Sequence, residues 1–251
     1  MGEVILKTEG LTKSFGRFKA IDNIDLKFTS GIITSIIGPN GAGKTTAINL
    51  LTGALAPDRG KVFFKGKDIT TLTPDQRVRH GITRSFQIMN IFPMLTVHQN
   101  VELPLFPLLG KNLKWFHDVS RYRDVMEEAE KLLVELSLWD KRDRPAGELS
   151  HGDQRALEMG MAIASKPEIC FLDEPSSGMN PVERSAILEL IKTLAKEGST
   201  TFVIIEHDMD VIFSLSDWIF VMHKGEVLAE GQPDDIRQNK EVVEIYLGEE
   251  A

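Results

Sequence analysis

The sequence has few of the features that mark exported or membrane-spanning proteins. Cys170 is the single cysteine in 251 residues, so no disulfide can form within the chain, which fits a reducing compartment. No apolar run reaches the roughly 18 residues that a membrane-spanning helix needs. Residues 1–4 begin a predicted strand and lack the basic segment of an export signal, so we expect no export.

Positive charge and internal repetition are also scarce. The chain carries 29 Lys and Arg residues against 37 Asp and Glu residues, a formal net charge of −8. Non-specific nucleic-acid binding needs a basic face, so we expect no nucleic-acid partner. Low-complexity segments and repeats of roughly 20–50 residues are absent from the sequence. The length is sufficient for one domain with a large core or for two small lobes.

One stretch predicts a nucleotide site. Residues 38–45 fit the pattern G-x-x-x-x-G-K-[ST]. The apolar residues 32–37 predict a buried strand before it, and residues 47–53 predict a helix that a glycine ends. A strand, a glycine loop and a helix form the context that this motif requires. The predicted phosphate-binding residues are Gly38, Pro39, Asn40, Gly41, Ala42, Gly43, Lys44, Thr45 and Thr46.

The residue types in this loop suit a nucleoside triphosphate. Glycines let backbone N–H groups converge on phosphate oxygens, because a Cβ atom would block the close approach. The helix N-terminus adds unsatisfied amides and the positive end of a dipole. We expect Lys44 to supply a positive charge to the β- and γ-phosphates and Thr45 to supply a hydroxyl to Mg²⁺.

Two adjacent acids follow a second apolar segment. Residues 168–172 predict a buried strand that ends at Asp173 and Glu174. Ionised groups at such a position must be partnered. Beside the glycine loop, Asp173 can hold the Mg²⁺ shell, and Glu174 can orient the attacking water or accept its proton.

Several other residues have two interpretations when each is taken alone. Phe15, in a predicted turn over residues 12–18, is either a hydrophobic plug or a ring that stacks on a base. Ser150 and Asp153 indicate either an ordinary capped helix or a helix N-terminus directed at an anion. His207 ends a buried parallel strand, where α/β sheets place their sites, although a lone histidine is more often structural.

Other patterns predict an α/β domain with an inserted, mainly helical lobe. Ile24, Leu26 and Phe28 alternate with polar residues and predict one half-buried strand. Residues 88–97 are apolar without a clean period, so they form either core or an exposed patch for a partner. Residues 233–246 predict a polar, helical tail.

Taken in order, these motifs resemble those of ABC transporter ATP-binding subunits, over essentially the whole chain. Each motif except the glycine loop is weakly specific alone, whereas the set is highly specific. The matching positions are residues 38–45 for Walker A, Gln87 for the Q-loop, residues 149–154 for the signature, residues 169–173 for Walker B, Glu174 for the catalytic glutamate, residues 178–181 for the D-loop and His207 for the switch histidine.

The resemblance implies the fold. It implies an α/β P-loop NTPase core with an antiparallel β subdomain and an inserted α-helical subdomain. We therefore expect a single ABC ATPase domain over residues 1–251. Residues 1–86 and 168–251 would form the catalytic core with the β subdomain, and residues 87–167 the helical subdomain with the signature helix.

The resemblance also implies ligands and roles. ATP and Mg²⁺ are the expected cofactors, with Thr45, Gln87 and Asp173 around the metal. Phe15 occupies the position of the family's adenine-stacking aromatic residue. The signature residues of a second subunit, here Ser150, Gly152 and Asp153, would cover the other face of the nucleotide. The implied catalytic residues are Glu174, His207, Lys44 and Gln87.

The implied partners are integral-membrane permease subunits, a second ATP-binding subunit placed head to tail and, indirectly, a solute-binding protein. The implied location is peripheral, at the cytoplasmic face of the cell membrane. ATP hydrolysis would power uptake of a small polar solute.

Finer features resemble importers of branched-chain amino acids. These features are Gly-Met-Asn-Pro at 178–181, Arg-Ser-Phe-Gln at 84–87 and Tyr-Leu-Gly at 246–248. Residues 149–152 also resemble urea-importer ATPases, and an exporter or a soluble ABC ATPase are further alternatives. The signature departs from the general pattern at His151, where glycine is commonest, and at Asp153, where many members lack an acid. Asn180 replaces the acid that is common in the D-loop, although it suits the amino-acid branch.

Overall fold

The computed structural model describes residues 2–84, 91–108, 123–196 and 200–248. The strands are β1 (Val4–Phe15), β2 (Phe18–Ile24), β3 (Lys27–Thr29), β4 (Ile33–Ile37), β5 (Arg59–Phe64), β6 (Lys67–Asp68), β7 (Ile82–Arg84), β8 (Ile169–Asp173), β9 (Thr201–Ile205), β10 (Trp218–His223) and β11 (Glu226–Gly231). The helices are α1 (Lys44–Leu51), α2 (Pro74–Arg79), α3 (Val97–Leu108), α4 (Arg123–Glu135), α5 (His151–Ala164), α6 (Pro181–Lys196), α7 (Met209–Leu215), α8 (Pro233–Gln238) and α9 (Lys240–Gly248).

The larger sheet positions the predicted site. Its strand order is β11-β10-β4-β9-β8-β7, and all neighbours are parallel except the edge pair β10 and β11. Every residue of β4, β8 and β9 is buried, which explains their continuous apolar sequences. Because these strands are parallel, their carboxyl ends meet at one edge of the sheet. At that edge the glycine loop follows β4, Asp173 is the last residue of β8, and His207 lies two residues after the end of β9.

The smaller sheet is antiparallel, with the order β2-β1-β5-β6 and with β3 also paired to β1. Most of its buried residues belong to the same hydrophobic cluster as α1 and one face of the larger sheet. Phe28 of β3 makes edge-on ring contacts with Phe171 and Phe220, at centroid distances of 6.1 and 5.7 Å. The helix that follows the glycine loop is therefore packed against residues of both sheets.

A second hydrophobic cluster covers the opposite face of the larger sheet. It joins α3, α4, α5 and α6 to the side chains of Cys170, Leu172, Phe202 and Ile204. Cys170 is buried, and burial raises its thiol pKa to about 12. Among the described residues, no helix has the length and apolar character needed to cross a bilayer.

Arg77 anchors the carboxyl end of α1 from within the core. This fully buried guanidinium donates hydrogen bonds of 2.7 Å to the carbonyl oxygens of Leu50 and Leu51, and one of 2.9 Å to that of Ile69. Burial lowers the pKa of Arg77 to about 10. A cation at a helix carboxyl end satisfies the last carbonyls and complements the dipole. The contact holds the helix behind the glycine loop.

The structure corrects two predictions near the N-terminus. The predicted turn over residues 12–18 is wrong for residues 12–15, because β1 continues to Phe15. The single strand predicted for Ile24, Leu26 and Phe28 is also wrong, because the chain forms β2 and β3 there. The predicted alternation is confirmed, since these three side chains are buried and the polar residues between them are exposed. The hydroxyl of Thr8 donates to the carbonyl of Ile24 and accepts from the N–H of Leu26, at 3.1 and 2.8 Å. The Thr8 side chain therefore supplies hydrogen bonds to the backbone where β2 ends and β3 has not yet begun.

The predicted helical tail is two helices rather than one. The segment from α8 to α9 is interrupted at Asn239, whose side-chain oxygen accepts from the backbone N–H groups of Glu241 and Val242, at 3.0 and 3.3 Å. This is an N-cap that starts a new helix.

Candidate nucleotide site

A cavity of about 320 Å³ lies at the sheet edge where β4, β8 and β9 end. Most of the predicted phosphate, metal and catalytic residues share it. The lining residues are Phe18, Ala20, Asn40, Gly41, Ala42, Gly43, Lys44, Thr45, Thr46, Asp173, Glu174, Ile205 and His207.

The P-loop (residues 38–45) requires glycine at two positions. Gly38 has a φ of 154°, and a Cβ atom there would lie 2.2 Å from the carbonyl oxygen of Met222. Gly43 has a φ of 103°, and a Cβ atom there would lie 2.6 Å from the carbonyl oxygen of Ala20. Both positions combine a left-handed backbone with close packing, so a side chain at either one would displace the loop.

Lys44 lies at the N-terminus of α1 and is nearly buried. Its Nζ donates to the carbonyl oxygens of Gly38 and Pro39, at 2.5 and 3.0 Å. Burial lowers the pKa of Lys44, and the carboxylates of Glu174 and Asp173 oppose that shift. The loop therefore holds a cation at the cavity, between its own carbonyls and two acids.

Asp173 is partnered by Arg84, which sequence reasoning did not assign to the site. Asp173 is 2% exposed, and its Oδ2 accepts from Arg84 at 2.7 Å. Arg84 also donates to the side-chain oxygen of Asn49 on α1, at 2.6 Å. The expectation that a buried acid here needs a partner is met by this cation. Arg84 thereby connects β7 to Asp173 on β8 and to Asn49 on α1, the helix that follows the P-loop.

Glu174 and His207 form a hydrogen-bonded pair. The Nε2 atom of His207 lies 2.8 Å from Oε1 of Glu174. Glu174 has a φ of 48°, a left-handed conformation that non-glycine residues rarely adopt, and its N–H donates to the carbonyl of Ile205 at 2.9 Å. Such backbone conformations cluster at functional sites, where surrounding contacts hold them.

Glu206 joins the two segments that carry Glu174 and His207. The sequence analysis did not identify it as a site residue. Its buried Oε1 accepts from the backbone N–H and the hydroxyl of Ser176, at 3.0 and 2.6 Å. Its Oε2 accepts from the backbone N–H of His207, at 3.3 Å. The apolar run that ends at residue 206 predicts only a strand, because nothing local distinguishes a bracing acid from a solvated one.

An aromatic residue lines the cavity, but it is Phe18 and not the predicted Phe15. Phe15 and Phe18 face each other across the turn that joins β1 and β2. Phe15 is 52% exposed, and Nζ of Lys13 lies 6.0 Å from its ring centroid. The role of Phe15 as a base-stacking residue remains a prediction, and Phe18 is a second candidate.

The signature residues lie away from the P-loop cavity. Ser150 is the N-cap of α5, and its hydroxyl oxygen accepts from the N–H of Asp153 at 3.2 Å, as the sequence predicted. Ser150, Gly152 and Asp153 line a separate cavity of about 200 Å³ beside α6. Gln87 lies outside the described residues, so its predicted position beside the metal remains a prediction.

Two family models match the sequence. One described as ABC transporter covers residues 21–177, and one described as Branched-chain amino acid ATP-binding cassette transporter covers residues 226–251.

The chain belongs to the ABC transporter family.

Relatives matched over nearly their full length are named as ATP-binding proteins of branched-chain amino acid transport. One is the probable branched-chain amino acid transport ATP-binding protein LivG of Methanocaldococcus jannaschii, 38% identical over 257 residues that cover 98% of each chain. LivG of Escherichia coli K12 is 37% identical, over 99% of this chain and 100% of the relative. The corresponding protein BraF of Pseudomonas aeruginosa is 38% identical, over the same shares of the two chains.

Solved structures agree as well. The ADP conformation of the ATP-binding cassette MJ1267 matches with a TM-score of 0.86 and 36% identity, over 98% of this chain and 99% of that one. The cassette MJ0796, solved as a dimer after hydrolysis with ADP and phosphate, matches with a TM-score of 0.75 and 27% identity, over 91% and 99%.

These findings confirm several predictions. The chain is an ATP-binding, ATP-hydrolysing subunit of an ABC transporter, and its fold is that of the ABC ATPase cassettes. The relatives also favour the branched-chain amino acid branch over the urea, export and non-transport alternatives.

Proposed function

We propose that this ABC ATPase powers the uptake of branched-chain amino acids by hydrolysing ATP with Mg²⁺ in the P-loop cavity. The observation that carries the catalytic part is the Glu174–His207 pair, at 2.8 Å, on the cavity that Lys44 and the loop amides also line. The solute is inferred from the relatives, which are named for branched-chain amino acid transport.

The residues have distinct roles in this proposal. The P-loop amides and Lys44 bind the β- and γ-phosphates. Glu174 orients the attacking water and accepts its proton, since its carboxylate lines the cavity bonded to the imidazole of His207, whereas that of Asp173 is paired with Arg84. His207 fixes the position of the Glu174 carboxylate and offers a donor to the transferred phosphoryl group.

The residues at the cavity fit Mg²⁺. The hydroxyl of Thr45 and the carboxylate of Asp173 line the same cavity, and Gln87 would add an amide oxygen. Hard oxygen donors are those that Mg²⁺ prefers, and it commonly keeps several waters. When bound, the ion would neutralise charge on the β- and γ-phosphate oxygens.

A second copy or a paralogous subunit completes the site. Ser150 and the first amides of α5 form a helix N-terminus that faces a cavity other than the P-loop cavity of the same chain. Two chains placed head to tail would each offer the Ser150 hydroxyl and the first turn of α5, which contains Gly152 and Asp153, to the other's ATP. The dimeric form of MJ0796 supports such pairing within the family.

The proposed division is a catalytic core with β subdomain at residues 1–86 and 168–251, and a helical subdomain at residues 87–167. The surface for the permease would lie where the helical part begins. Phe92 and Met94 are 51% and 90% exposed. Asn100 holds the backbone on both sides of Met94 from a fully buried position, since its side chain accepts from the N–H of Phe92 at 2.7 Å and donates to the carbonyl of Thr96 at 2.9 Å.

An exposed apolar pair on a rigidly held loop suits protein contact. The partners would be integral-membrane permease subunits, with a solute-binding protein acting through them. The ATPase would lie peripherally at the cytoplasmic face of the membrane.

Uptake in reconstituted vesicles tests this proposal. With its membrane subunits and solute-binding protein, the wild-type ATPase is expected to drive ATP-dependent uptake of leucine that isoleucine and valine compete with and urea does not. Phe92→Asp is expected to remove this uptake and copurification with the membrane subunits, because a charge would be buried against them.

Val134→Asp is the matched control, since Val134 is an exposed apolar residue on α4 and not on this loop. Intact copurification of the Phe92→Asp variant would overturn the docking surface. Uptake of urea without competition by valine would overturn the proposed solute.

A further inference from the structure

Lys141 lies beside the signature residues without any role in the family pattern. It ends a short 3₁₀ turn, Trp139–Lys141, and its Nζ lies 2.6 Å from Oδ2 of Asp153. The same carboxylate oxygen accepts a hydrogen bond from the hydroxyl of Ser150, at 2.9 Å. One oxygen of Asp153 therefore contacts both the lysine and the serine that would face ATP.

The surroundings of this contact are acidic. The residues that line the cavity next to Ser150 include three acids, Glu135, Asp153 and Glu183. Glu183 packs against Gly152, where a Cβ atom would lie 3.0 Å from its Cγ. Carboxylates stabilise the first turn of a helix through its dipole, but they repel an approaching polyphosphate. A helix end with this composition needs a nearby cation to accept an anion.

The hydroxyl of Ser150 is engaged with Asp153 in two ways. It donates to the carboxylate, and its oxygen accepts from the backbone N–H of the same residue at 3.2 Å. To donate to a phosphate, the hydroxyl must leave the carboxylate. Asp153 then retains Lys141 as its charged partner, so the exchange does not leave an uncompensated carboxylate beside the phosphate.

We propose that Lys141 is a positioning residue of the composite site: it neutralises Asp153, and thereby lets the Ser150 end of α5 receive the γ-phosphate bound by a second subunit. This inference rests on the proposed head-to-tail pairing. The positive charge that neutralises Asp153 then comes from Lys141, which lies outside the signature residues 149–154.

The test is a double-mutant cycle on ATP-driven pairing. All variants carry Glu174→Gln to slow hydrolysis, and the pair dissociation constant is measured by sedimentation with MgATP. Lys141→Met is expected to weaken pairing by about 10-fold, because each of two sites loses a counter-charge worth a few-fold. Asp153→Asn is expected to strengthen pairing, and adding it to Lys141→Met is expected to restore pairing to near the parent value.

Four further measurements test the role of the Lys141 charge. Lys141→Arg keeps the charge and is expected to pair like the parent, and so is Lys131→Met, which removes an exposed charge from α4. The Lys141→Met defect is expected to shrink at high salt, since screening weakens exposed charges. ATP binding by the single chain is expected to stay unchanged in Lys141→Met, because Lys141 is not among the residues that line the P-loop cavity.

If the Lys141–Asp153 ion pair only holds the 3₁₀ turn against α5, a different pattern is expected. Asp153→Asn then weakens pairing as much as Lys141→Met does, and it does not rescue the Lys141→Met variant. That pattern, or unchanged pairing in Lys141→Met, overturns the role of Lys141 and leaves the proposed function standing. If the parent itself binds ATP but does not pair, the head-to-tail proposal fails and this inference fails with it.

Discussion

Glu174→Gln is expected to lower the rate of ATP hydrolysis by about 100-fold or more, while the affinity for ATP changes little. The amide has the size of the carboxylate and can still bond to His207, which lies 2.8 Å from Oε1 of Glu174. It cannot accept a proton from the attacking water, and general-base catalysis contributes about 10²–10⁴-fold. Phosphate release at saturating ATP measures the rate, and equilibrium binding of ATP measures the affinity.

Glu9→Gln provides the matched control, since Glu9 is an exposed carboxylate on β1 that pairs with Lys7. It is expected to hydrolyse ATP at the wild-type rate. If Glu174→Gln retained more than about a tenth of the wild-type rate, the role given to Glu174 would be wrong.

Lys44→Ala is expected to weaken ATP binding by roughly 10- to 100-fold. Hydrogen bonds to charged groups contribute about 1.5–3 kcal/mol, and each 1.4 kcal/mol is tenfold in affinity. The Nζ atom that bonds to the carbonyls of Gly38 and Pro39 is the cation that the loop places at the cavity. Titration of the purified chain with ATP and Mg²⁺ measures the effect.

The fold is expected to survive this change. The contacts of Lys44 are with the loop itself, and α1 stays anchored by the core residues Ala47 and Leu50 and by Arg77. Lys61→Ala, at an exposed lysine on β5, is the control and is expected to bind ATP normally. Binding within threefold of wild type in a folded Lys44→Ala variant would contradict the assignment.

Much of the fold was predictable because its signals are local. The P-loop combines a buried strand, a glycine pattern and a helix start, and each of these is readable in a short window. Gly38 and Gly43 bear this out, since close backbone packing requires glycine at both. The buried strands β8 and β9 were readable for the same reason, as continuous apolar runs that end at polar residues.

What the sequence could not predict depends on contacts between distant segments. Arg84 meets Asp173 across 89 positions, and Ser176 meets Glu206 across 30. No local pattern distinguishes such an arginine or glutamate from one in solvent, because pairing is decided by sheet order. The break between β2 and β3 was missed for a related reason: Thr8, on another strand, supplies the hydrogen bonds that make the break possible.

The central claim is that the P-loop cavity binds MgATP and that the N-terminus of α5, at Ser150 of a second chain, completes the binding site. Sedimentation velocity of the Glu174→Gln variant tests it most directly. The account predicts that MgATP converts the 28.1 kDa chain to a pair, that MgADP does not, and that Ser150→Phe prevents pairing without loss of ATP binding. A Glu174→Gln chain that binds ATP but stays single at saturation, or that pairs equally well with Ser150→Phe, would contradict it.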